Sequence, residues 1–523
     1  MSQPAARQGW RESLAAFTHP RVVTMLFLGF SAGLPLLMIF SSLSLWLREA
    51  GVARSSVTFF SWAALGYSFK FVWAPLVDRL PLPWLTRLLG RRRSWLLLAQ
   101  CSVIAAMLWM GGTDPAAGQR ALTLMALAAV ALGFSAATQD IVIDAYRIES
   151  AATELQALMA ATYIAGYRVG MLVSGAGALF LAQALGSSSD HYLYPAWHLS
   201  YGVMAVAMLV GVVTTVVMPE PAMPDTRYAP RPAGQYARFM LLFLLAVGGL
   251  VAAYIYSGPE AAAIKARLEQ ASGDQWLAAL VTDLGRLLLG VCAGAAVAWL
   301  LVVLGLVDRS MVRETYVDPV RDFFKRYGAG IALLLLSIIG LYRISDIVLG
   351  VISNVFYQDL GFSKAEIAFA VKTFGVLMTI AGGFLGGVLS VRFGVYRILL
   401  LGAVLAAATN LLFMLLAKVG YNLTMLYLVV AADNLSAGLA SAAFVAFLSS
   451  LTNVSFTAMQ YAIFSSLMTL VPKVLGGYSG GMVDTIGYPH FFLLTTLLGV
   501  PVILLLLVVN RWLHIEEAGR DST

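Results

Sequence analysis

The chain has 523 residues, of which 60% are hydrophobic and only 12% are charged, and its mean hydropathy is +0.83. A water-soluble domain carries about 25% charged residues, so this composition excludes a soluble globular protein. The net charge of +7, from 34 Lys and Arg against 27 Asp and Glu, fits loops beside a membrane better than a nucleic-acid partner. Cys101 and Cys292 both lie in apolar runs, which excludes a disulfide framework and a cysteine-rich zinc site.

Apolar stretches long enough to cross a bilayer, which takes about 20 residues, recur along the whole chain. The first one continues into Arg48 and Glu49 without a small-residue cleavage site, so we expect a membrane span here rather than a cleavable signal peptide. The pattern predicts an all-α integral membrane protein with fourteen spans, of which 328–357 is long enough to be tilted or broken. The predicted helices are 22–46, 55–77, 94–112, 120–146, 156–184, 197–218, 237–257, 284–306, 328–357, 365–390, 398–417, 422–450, 455–477 and 490–511.

Basic residues concentrate in alternate predicted loops, and short basic loops stay in the cytoplasm. The loops after the second, sixth and eighth helices are basic, so we expect both termini on the cytoplasmic side. The alternative is that these residues are topology signals and have no further role. They are Arg79, Arg87, Arg91, Arg92 and Arg93, then Arg227, Arg231 and Arg238, then Arg309, Arg313, Arg321, Lys325 and Arg326.

Removal of 237–306 leaves twelve predicted helices, six on each side. We therefore divide the chain into an N-terminal half (1–218), a linker with two additional helices (219–327) and a C-terminal half (328–523). Six plus six helices is the plan of the major facilitator fold, in which each half contains inverted three-helix units. We predict this fold with an inserted helix pair. The connection 257–283 is predicted as an amphipathic helix on the outer membrane surface, with a lid or substrate role as the alternative.

Glycines four residues apart allow membrane helices to approach each other closely. One such set ends the tenth predicted helix and an equally spaced set ends the thirteenth, at opposite membrane faces, as inverted units would produce. The alternative is coincidence in a chain with 47 glycines. The two sets are Gly382, Gly383, Gly386 and Gly387, and Gly476, Gly477, Gly480 and Gly481.

An ionisable side chain at the centre of a membrane helix costs at least ~2.5 kcal/mol on insertion, so each one is a candidate functional residue. Asp140 and Asp144 are one helical turn apart, with Gln139 beside them. Two carboxylates so close do not both ionise easily, and one can carry a proton. Lys70 and Arg168 are the available counter-charges, and a structural ion-pair network is the alternative. The full set is Lys70, Asp140, Asp144, Arg168, Arg343, Asp346, Lys372 and Asp433.

The first helices of the three-helix units line the central cavity of this fold, and polar groups on them predict a polar substrate. Tyr163, Tyr167 and Arg168 form a face suited to stacking on sugars and pairing with carboxylates, although packing is the alternative for membrane tyrosines. Arg343 and Asp346 either contact substrate or pair with each other. The predicted substrate-binding residues are Gln139, Tyr163, Tyr167, Arg168, Arg343, Asp346, Asn354, Tyr357, Asp433 and Asn434.

Catalytic chemistry has little support in the sequence. The five histidines lie near helix ends or in loops without metal-ligand spacing, and there is no Walker-type phosphate loop. We therefore expect neither an enzyme nor a cofactor or metal, but a transporter driven by an ion gradient.

Several strings resemble the AmpG muropeptide permease family, with the match strongest in the first half. The loop after the second helix also resembles the facilitator motif G-x-L-x-D-R-x-G-R-R, interrupted by an insertion, in which the Asp and Arg latch neighbouring helix ends. This resemblance assigns gating to Asp78, Arg79, Arg91 and Arg92. The strings of the permease family are GFSAGLP (29–35), FKFVWAPLVD (69–78), GRRRSW (90–95), TQDIVIDA (138–145), GYRVGMLVSG (166–175), AFVAFL (443–448) and AMQYAIFS (458–465).

The resemblance implies a monomeric proton symporter of the bacterial inner membrane. Its expected substrate is a disaccharide anhydromuropeptide, imported with the proton motive force for peptidoglycan recycling and linked to β-lactamase induction and antibiotic resistance. Asp140, Asp144 and Lys70 are the proton-coupling candidates, and membrane lipid is the only other expected partner. There are two alternatives. One is transport of another polar solute such as acetyl-CoA, which is the substrate of distant relatives, and the other is drug:proton antiport.

Overall fold

A computed structural model of the chain describes residues 15–52, 67, 69–151, 153–188, 191–222, 232–273, 275–476 and 479–520. Across these residues the regular secondary structure is helical, apart from one isolated bridge between Ser188 and His191. Thirteen of their helices are long and apolar enough to cross a membrane, which confirms the predicted all-α membrane class. The remaining predicted span, 55–77, lies largely outside the described residues.

We number the predicted spans α1 to α14 and give one number to a helix with a local break. The N-terminal half contains α1 (Pro20–Ile39 and Ser41–Glu49), α2 (Ala74–Arg79, after the 3-10 turn Lys70–Val72), α3 (Arg91–Gly111), α4 (Gln119–Ser150), α5 (Thr153–Leu172 and Ala178–Ala184) and α6 (Tyr194–Ala207 and Leu209–Val217). The inserted pair is α7 (Ala233–Tyr256) and α8 (Gln275–Val303). The C-terminal half contains α9 (Asp318–Leu341 and Ile344–Asp359), α10 (Gly375–Phe393), α11 (Val395–Val419), α12 (Leu423–Leu451), α13 (Thr457–Gly476) and α14 (Ser479–Arg520).

The chain forms two compact units. One unit contains both six-helix halves, Met1–Met223 together with Phe323–Thr523, and the other contains the inserted pair, Pro224–Asp322. In the first unit each half has its own apolar core. Trp46 stacks on Trp197 at 5.5 Å in the N-terminal half, and Phe356 packs edge-on against Phe492 at 4.8 Å in the C-terminal half.

Glycines bring α1 and α5 into backbone contact. A Cβ added to Gly29 or Gly33 on α1 would lie 2.2 or 2.1 Å from a carbonyl oxygen of α5, and one added to Gly166 on α5 would lie 1.9 Å from the Leu26 oxygen of α1. Both helices thus carry a small-xxx-small pattern at their interface. This contact fixes the rotation of α5 and therefore the direction of the side chains that follow Gly166.

The glycine sets of the C-terminal half behave differently from each other. Gly382 and Gly386 on α10 pack against the Leu435 and Leu439 carbonyls of α12, where a Cβ would lie at 2.0 and 2.7 Å. Gly480 on α14 has open space around it, as does its neighbour Gly481. The predicted close approach is therefore confirmed for the first set and wrong for Gly480 and Gly481, where a Cβ would meet no atom within 4 Å; Gly477 lies outside the described residues.

The ninth span is broken, which is one of the two outcomes that its length predicted. Gly328, with φ of 71°, kinks its first segment, and the helix breaks between Leu341 and Ile344. Arg343, with φ of −100° and ψ of 12°, precedes the second segment. Broken membrane helices are a common way to place polar groups and backbone near a transport site, and this break positions Arg343 and Asp346.

The inserted unit is a helical hairpin with a connecting helix. The predicted amphipathic segment corresponds to the helix Gly258–Ser272, which ends at Gly273 in the left-handed conformation with φ of 68°. The two long helices meet where a Cβ on Gly294 would lie 2.8 Å from the Ala246 oxygen. Arg286 of α8 donates to the Tyr254 carbonyl at 2.8 Å and lies 4.1 Å from the centre of the Tyr254 ring, which ties the ends of the hairpin together.

We expect Gly166→Ala to destabilise the protein by about 1–3 kcal/mol, the usual cost of forcing an extra carbon into a packed interface. The matched control is Gly202→Ala on α6, where a Cβ would meet no atom within 4 Å. The measurement is the thermal unfolding midpoint of the purified protein in detergent. Equal midpoints for the two variants would contradict the close contact of α1 and α5.

Candidate transport site

The acid pair of α4 lies on one face, as its spacing predicts, and its two carboxylates have different surroundings. Asp144 lies between two cations: Lys70 Nζ is 3.5 Å from Asp144 Oδ2, and Arg147 Nη2 is 3.4 Å from Asp144 Oδ1. Lys70 is one of the predicted counter-charges. Arg168, the other one, lies elsewhere, and Arg147 takes its place.

Asp140 is less completely paired than Asp144. Its nearest charged and polar neighbours are Lys70, Asp144 and the hydroxyl of Tyr163, and Asp140 Oδ1 makes no hydrogen bond to the described residues. The fully buried Gln139 amide also makes no hydrogen bond within the described part of the chain. A buried polar group without a partner costs about 1–3 kcal/mol, so these groups are candidates for a functional role.

The aromatic and cationic face of α5 lies beside this acid pair. The rings of Tyr163 and Tyr167 are 5.9 Å apart, and both hydroxyl groups are close enough to Asp140 to interact with it electrostatically. These side chains lie deep in the protein and nevertheless keep part of their surface accessible, as does Arg168. The two tyrosine hydroxyl groups and the Asp140 carboxylate thus form one polar cluster.

The C-terminal half contributes a second charged cluster. Arg343 Nη2 is 3.7 Å from Asp346 Oδ2, so these residues pair with each other, as one of the two sequence interpretations expected. Asp433 of α12 interacts electrostatically with Asp346 and Arg343 and lies beside Thr409. Arg343 is also close enough to Arg168 of the other half to act on it electrostatically.

Two further predicted substrate residues, Asn434 and Tyr357, are held by contacts within the C-terminal half. The Asn434 amide accepts a hydrogen bond from Thr379 at 2.9 Å and donates one to the Val430 carbonyl at 2.9 Å, which favours a packing role. Tyr357 is 3% exposed and packs against Phe356. The side chains of Asn354 and Lys372 lie outside the described part of the structure.

Charged groups join the two halves at one end of the helices. Arg92, which is 1% exposed, contacts Asp78 at 2.7 Å and Glu149 at 2.6 Å. The Asp78 carboxylate also accepts hydrogen bonds from the backbone N–H groups of Ala458 (3.2 Å) and Met459 (3.0 Å). These belong to the first turn of α13, whose free N–H groups favour an anion. Asp78 of one half thus caps a helix of the other.

Two further predicted gating residues lie at the same end. Arg91 donates to the Asp78 carbonyl at 2.7 Å and lies 3.4 Å from Glu149, and Arg79 ends α2 in a half-buried position. Glu149 receives a hydrogen bond of 2.9 Å from Thr457 of the C-terminal half. The structure therefore brings Asp78, Arg91 and Arg92 together at one contact between the halves.

Sequence reasoning did not identify Arg147 and Glu149 as functional candidates, because both lie near the end of α4. Arg147 is 1% exposed, donates to Ser449 Oγ at 2.6 Å and lies 5.1 Å from the centre of the Tyr461 ring. Both partners belong to the C-terminal half. The sequence feature that could have identified them is the run of charged residues Asp144, Arg147 and Glu149 near the end of α4.

Comparisons with known families support this architecture. The family model of the Major Facilitator Superfamily matches residues 332–521, and that of Acetyl-coenzyme A transporter 1 matches residues 21–218. The solved structure of XylE, a proton:xylose symporter, matches with a TM-score of 0.56 at 14% identity, covering 94% of this chain and 95% of that one. FucP in the outward conformation matches with a TM-score of 0.58 at 10% identity, covering 94% and 98%. These similarities confirm the predicted major facilitator fold.

Curated relatives cover nearly the whole chain. The Putative transporter AmpG 4 of Rickettsia conorii is 28% identical over 499 residues, which are 95% of this chain and 99% of the relative. The Anhydromuropeptide permease of Escherichia coli is 31% identical over 502 residues, which are 96% of this chain and 82% of the relative. The chain therefore belongs to the AmpG anhydromuropeptide permease family of the major facilitator superfamily, a family of transporters and not of enzymes.

Proposed function

We propose that this protein imports anhydromuropeptides, composed of N-acetylglucosamine and 1,6-anhydro-N-acetylmuramic acid with or without peptide, by proton symport across the inner membrane. The observation that carries the proposal is the similarity to the Anhydromuropeptide permease of Escherichia coli over 96% of this chain. The site supports it, because the two halves together supply carboxyl, hydroxyl and guanidinium groups. A polar sugar derivative satisfies such groups by hydrogen bonds, whereas an apolar drug leaves them unpaired.

Proton coupling is assigned to the acid pair of α4. Asp144 is held by two cations, whereas Asp140 Oδ1 makes no hydrogen bond within the described residues. Lys70 interacts with both carboxylates, so a proton that arrives at either acid changes the charge balance of the whole cluster. This supports a reversible proton site, because the cluster can redistribute its ion pairs without leaving an isolated charge in the interior.

Alternating access is assigned to the contact made by Asp78, Arg92 and Glu149. If both termini are cytoplasmic, as the basic loops predict, this contact closes the cytoplasmic end of the transporter. Substrate enters from the opposite side while the contact holds and leaves to the cytoplasm when it opens. The protein is expected to work as a monomer, because each half contributes its own part of both the site and the contact.

Transport of acetyl-CoA is the second candidate, because the family model of Acetyl-coenzyme A transporter 1 matches residues 21–218. Adenine, phosphate and thioester groups also require a polar and cationic site. The two candidates therefore have to be separated by direct uptake.

We expect proteoliposomes with the protein to accumulate radiolabelled N-acetylglucosaminyl-1,6-anhydro-N-acetylmuramic acid when the outside is acidic, because proton entry drives import. A proton uncoupler should reduce accumulation to that of empty liposomes. Labelled acetyl-CoA and a cationic dye are assayed in parallel. Uptake of acetyl-CoA alone would favour the second candidate, and dye export alone would favour an antiporter.

Asp144→Asn should lose uptake driven by a pH gradient, because an amide cannot take up and release the proton. Exchange of labelled for unlabelled substrate without a gradient should continue, since exchange needs no net proton movement. Asp283→Asn is the control, because that side chain is 67% exposed in the inserted unit. Normal gradient-driven uptake by Asp144→Asn would show that another group carries the proton.

Asp78→Asn should shift the protein towards conformers in which the contact of the halves is open. It weakens charge-assisted hydrogen bonds to Arg92 and to α13, which are worth about 1.5–3 kcal/mol each, enough for at least about a tenfold change in population. Spin labels at Leu88 and Val454, both exposed at this end of the unit, report the distance between the two halves. The labels are attached to cysteines introduced at these positions, after Cys101 and Cys292 have been replaced by Ser.

The distance distribution should move to longer values in Asp78→Asn and remain as in wild type in Asp283→Asn. Identical distributions in Asp78→Asn and wild type would contradict a gating role for the contact.

A further inference from the structure

The break of α9 is held in place by neighbouring helices of the C-terminal half. The span 328–357 contains no proline, which is one of the common local causes of a sharp helix kink. A membrane helix that breaks has to satisfy its freed backbone groups within the protein. The position of this break therefore depends on the contacts that its residues make with other helices.

Tyr342 fixes the first side of the break. Its hydroxyl group donates a hydrogen bond of 2.9 Å to the Leu399 carbonyl of α11, and its ring stacks on Phe444 of α12 at 4.3 Å. Gly402 of α11 leaves room for this hydroxyl group, because a Cβ there would lie 2.8 Å from it. The end of the first segment of α9 is thereby tied to two helices of the same half.

Asn410 of α11 fixes the second side of the break. Its side-chain amide donates hydrogen bonds to Ser345 Oγ at 2.7 Å and to Thr495 Oγ1 of α14 at 3.1 Å. Ser345 Oγ donates in turn to the Thr495 carbonyl at 2.9 Å. These three residues are at most 3% exposed, and Gly499 of α14 leaves the space beside Ser345 free of a side chain. One amide thus links three helices at the break.

This hydrogen-bond network is directly connected to charged groups of the site. Ser345 precedes Asp346 in the chain, and the ion pair of Asp346 with Arg343 spans the break at 3.7 Å. A restraint on Ser345 therefore restrains the backbone that carries this ion pair. The network consists of hydroxyl, amide and carbonyl groups, which do not ionise at physiological pH, so its hydrogen bonds do not have to change when nearby carboxylates gain or lose a proton.

We propose that Asn410 is a positioning residue of the transport site, which acts through Ser345 to keep the ion pair of Arg343 and Asp346 in place for solute binding. The assignment rests on the proposed function in taking this ion pair as part of the site. Asn410 itself is 1% exposed and therefore too deeply buried to contact a solute. Its effect on transport should appear as a change in solute affinity, whereas loss of fold stability alone would reduce the amount of active protein.

Hydrogen exchange of the purified full-length protein in detergent tests the restraint without transport. Asn410→Leu nearly keeps the side-chain volume and removes both donors. In this variant the peptide that contains residues 341–347 should exchange at least about tenfold faster than in wild type, because the loss of two buried hydrogen bonds favours local opening by roughly that factor. Ser345→Ala removes the shared hydroxyl group and should act in the same direction. Unchanged exchange in either folded variant would overturn the proposal.

Uptake kinetics in proteoliposomes test the effect on transport. Asn410→Leu and Ser345→Ala should raise the KM for N-acetylglucosaminyl-1,6-anhydro-N-acetylmuramic acid about tenfold, with the maximal rate per folded transporter within about twofold of wild type. The matched control is Gln100→Leu in the N-terminal half, which removes a buried amide that accepts a hydrogen bond from Thr215 at 2.8 Å between α3 and α6. This control should leave KM unchanged.

A KM of wild-type size in either folded variant, or an equal rise of KM in Gln100→Leu, would overturn the positioning role of Asn410 while leaving the proposed function intact. If wild type takes up acetyl-CoA and no muropeptide, the proposed function fails, and the same comparison with acetyl-CoA decides the role of Asn410. Uptake of neither probe by wild type would reject both proposals.

Discussion

The pairing of Asp144 with Lys70 and Arg147 is the interaction on which the rest of the site depends. A lone charge in the interior of a membrane protein is expensive, and removal of one member of a buried pair leaves the others uncompensated. Asp144 makes contacts of 3.5 and 3.4 Å to these two cations, and Asp140 shares the first of them. Because the two carboxylates share Lys70, protonation of one acid changes the ion pairing that is available to the other.

Helix α4 connects this cluster to the contact between the halves. Asp140 and Glu149 are nine residues apart on one continuous helix, which corresponds to about 14 Å along its axis. Between them Arg147 contacts Asp144 on one side and Ser449 of the other half on the other. A change of charge at Asp144 alters the electrostatic balance of Arg147, which contacts both halves. Helix α4 is therefore the element that would connect the proposed proton site to the proposed gate.

The sequence predicted those features that depend on helical spacing or on a contiguous motif. The common face of Asp140 and Asp144 follows from four-residue spacing, and the gate aspartate Asp78 follows from its motif despite the inserted loop. The partners could not be derived in the same way, because they depend on how helices are rotated against one another. Arg168 was a candidate counter-charge for the acid pair, but Asp144 pairs with Lys70 and Arg147 instead. The glycine spacing in the C-terminal half predicted close packing, but spacing does not say whether a partner helix lies opposite. A partner lies opposite Gly382 and Gly386, and none lies opposite Gly480 and Gly481.

The total charge of the site explains why a proton and an anionic solute would travel together. When all groups are ionised, the cations and carboxylates of the two clusters are equal in number and the site is neutral. A proton alone would leave the site with one excess positive charge, and a monovalent anion alone would leave one excess negative charge, each of which is costly in a low-dielectric interior. A proton and an anion together restore neutrality, so the loaded and the empty site are the two states that avoid this cost. Charge balance therefore supports the proposed symport of a proton with an anionic solute. The groups counted are the cations Lys70, Arg147, Arg168 and Arg343 and the carboxylates Asp140, Asp144, Asp346 and Asp433.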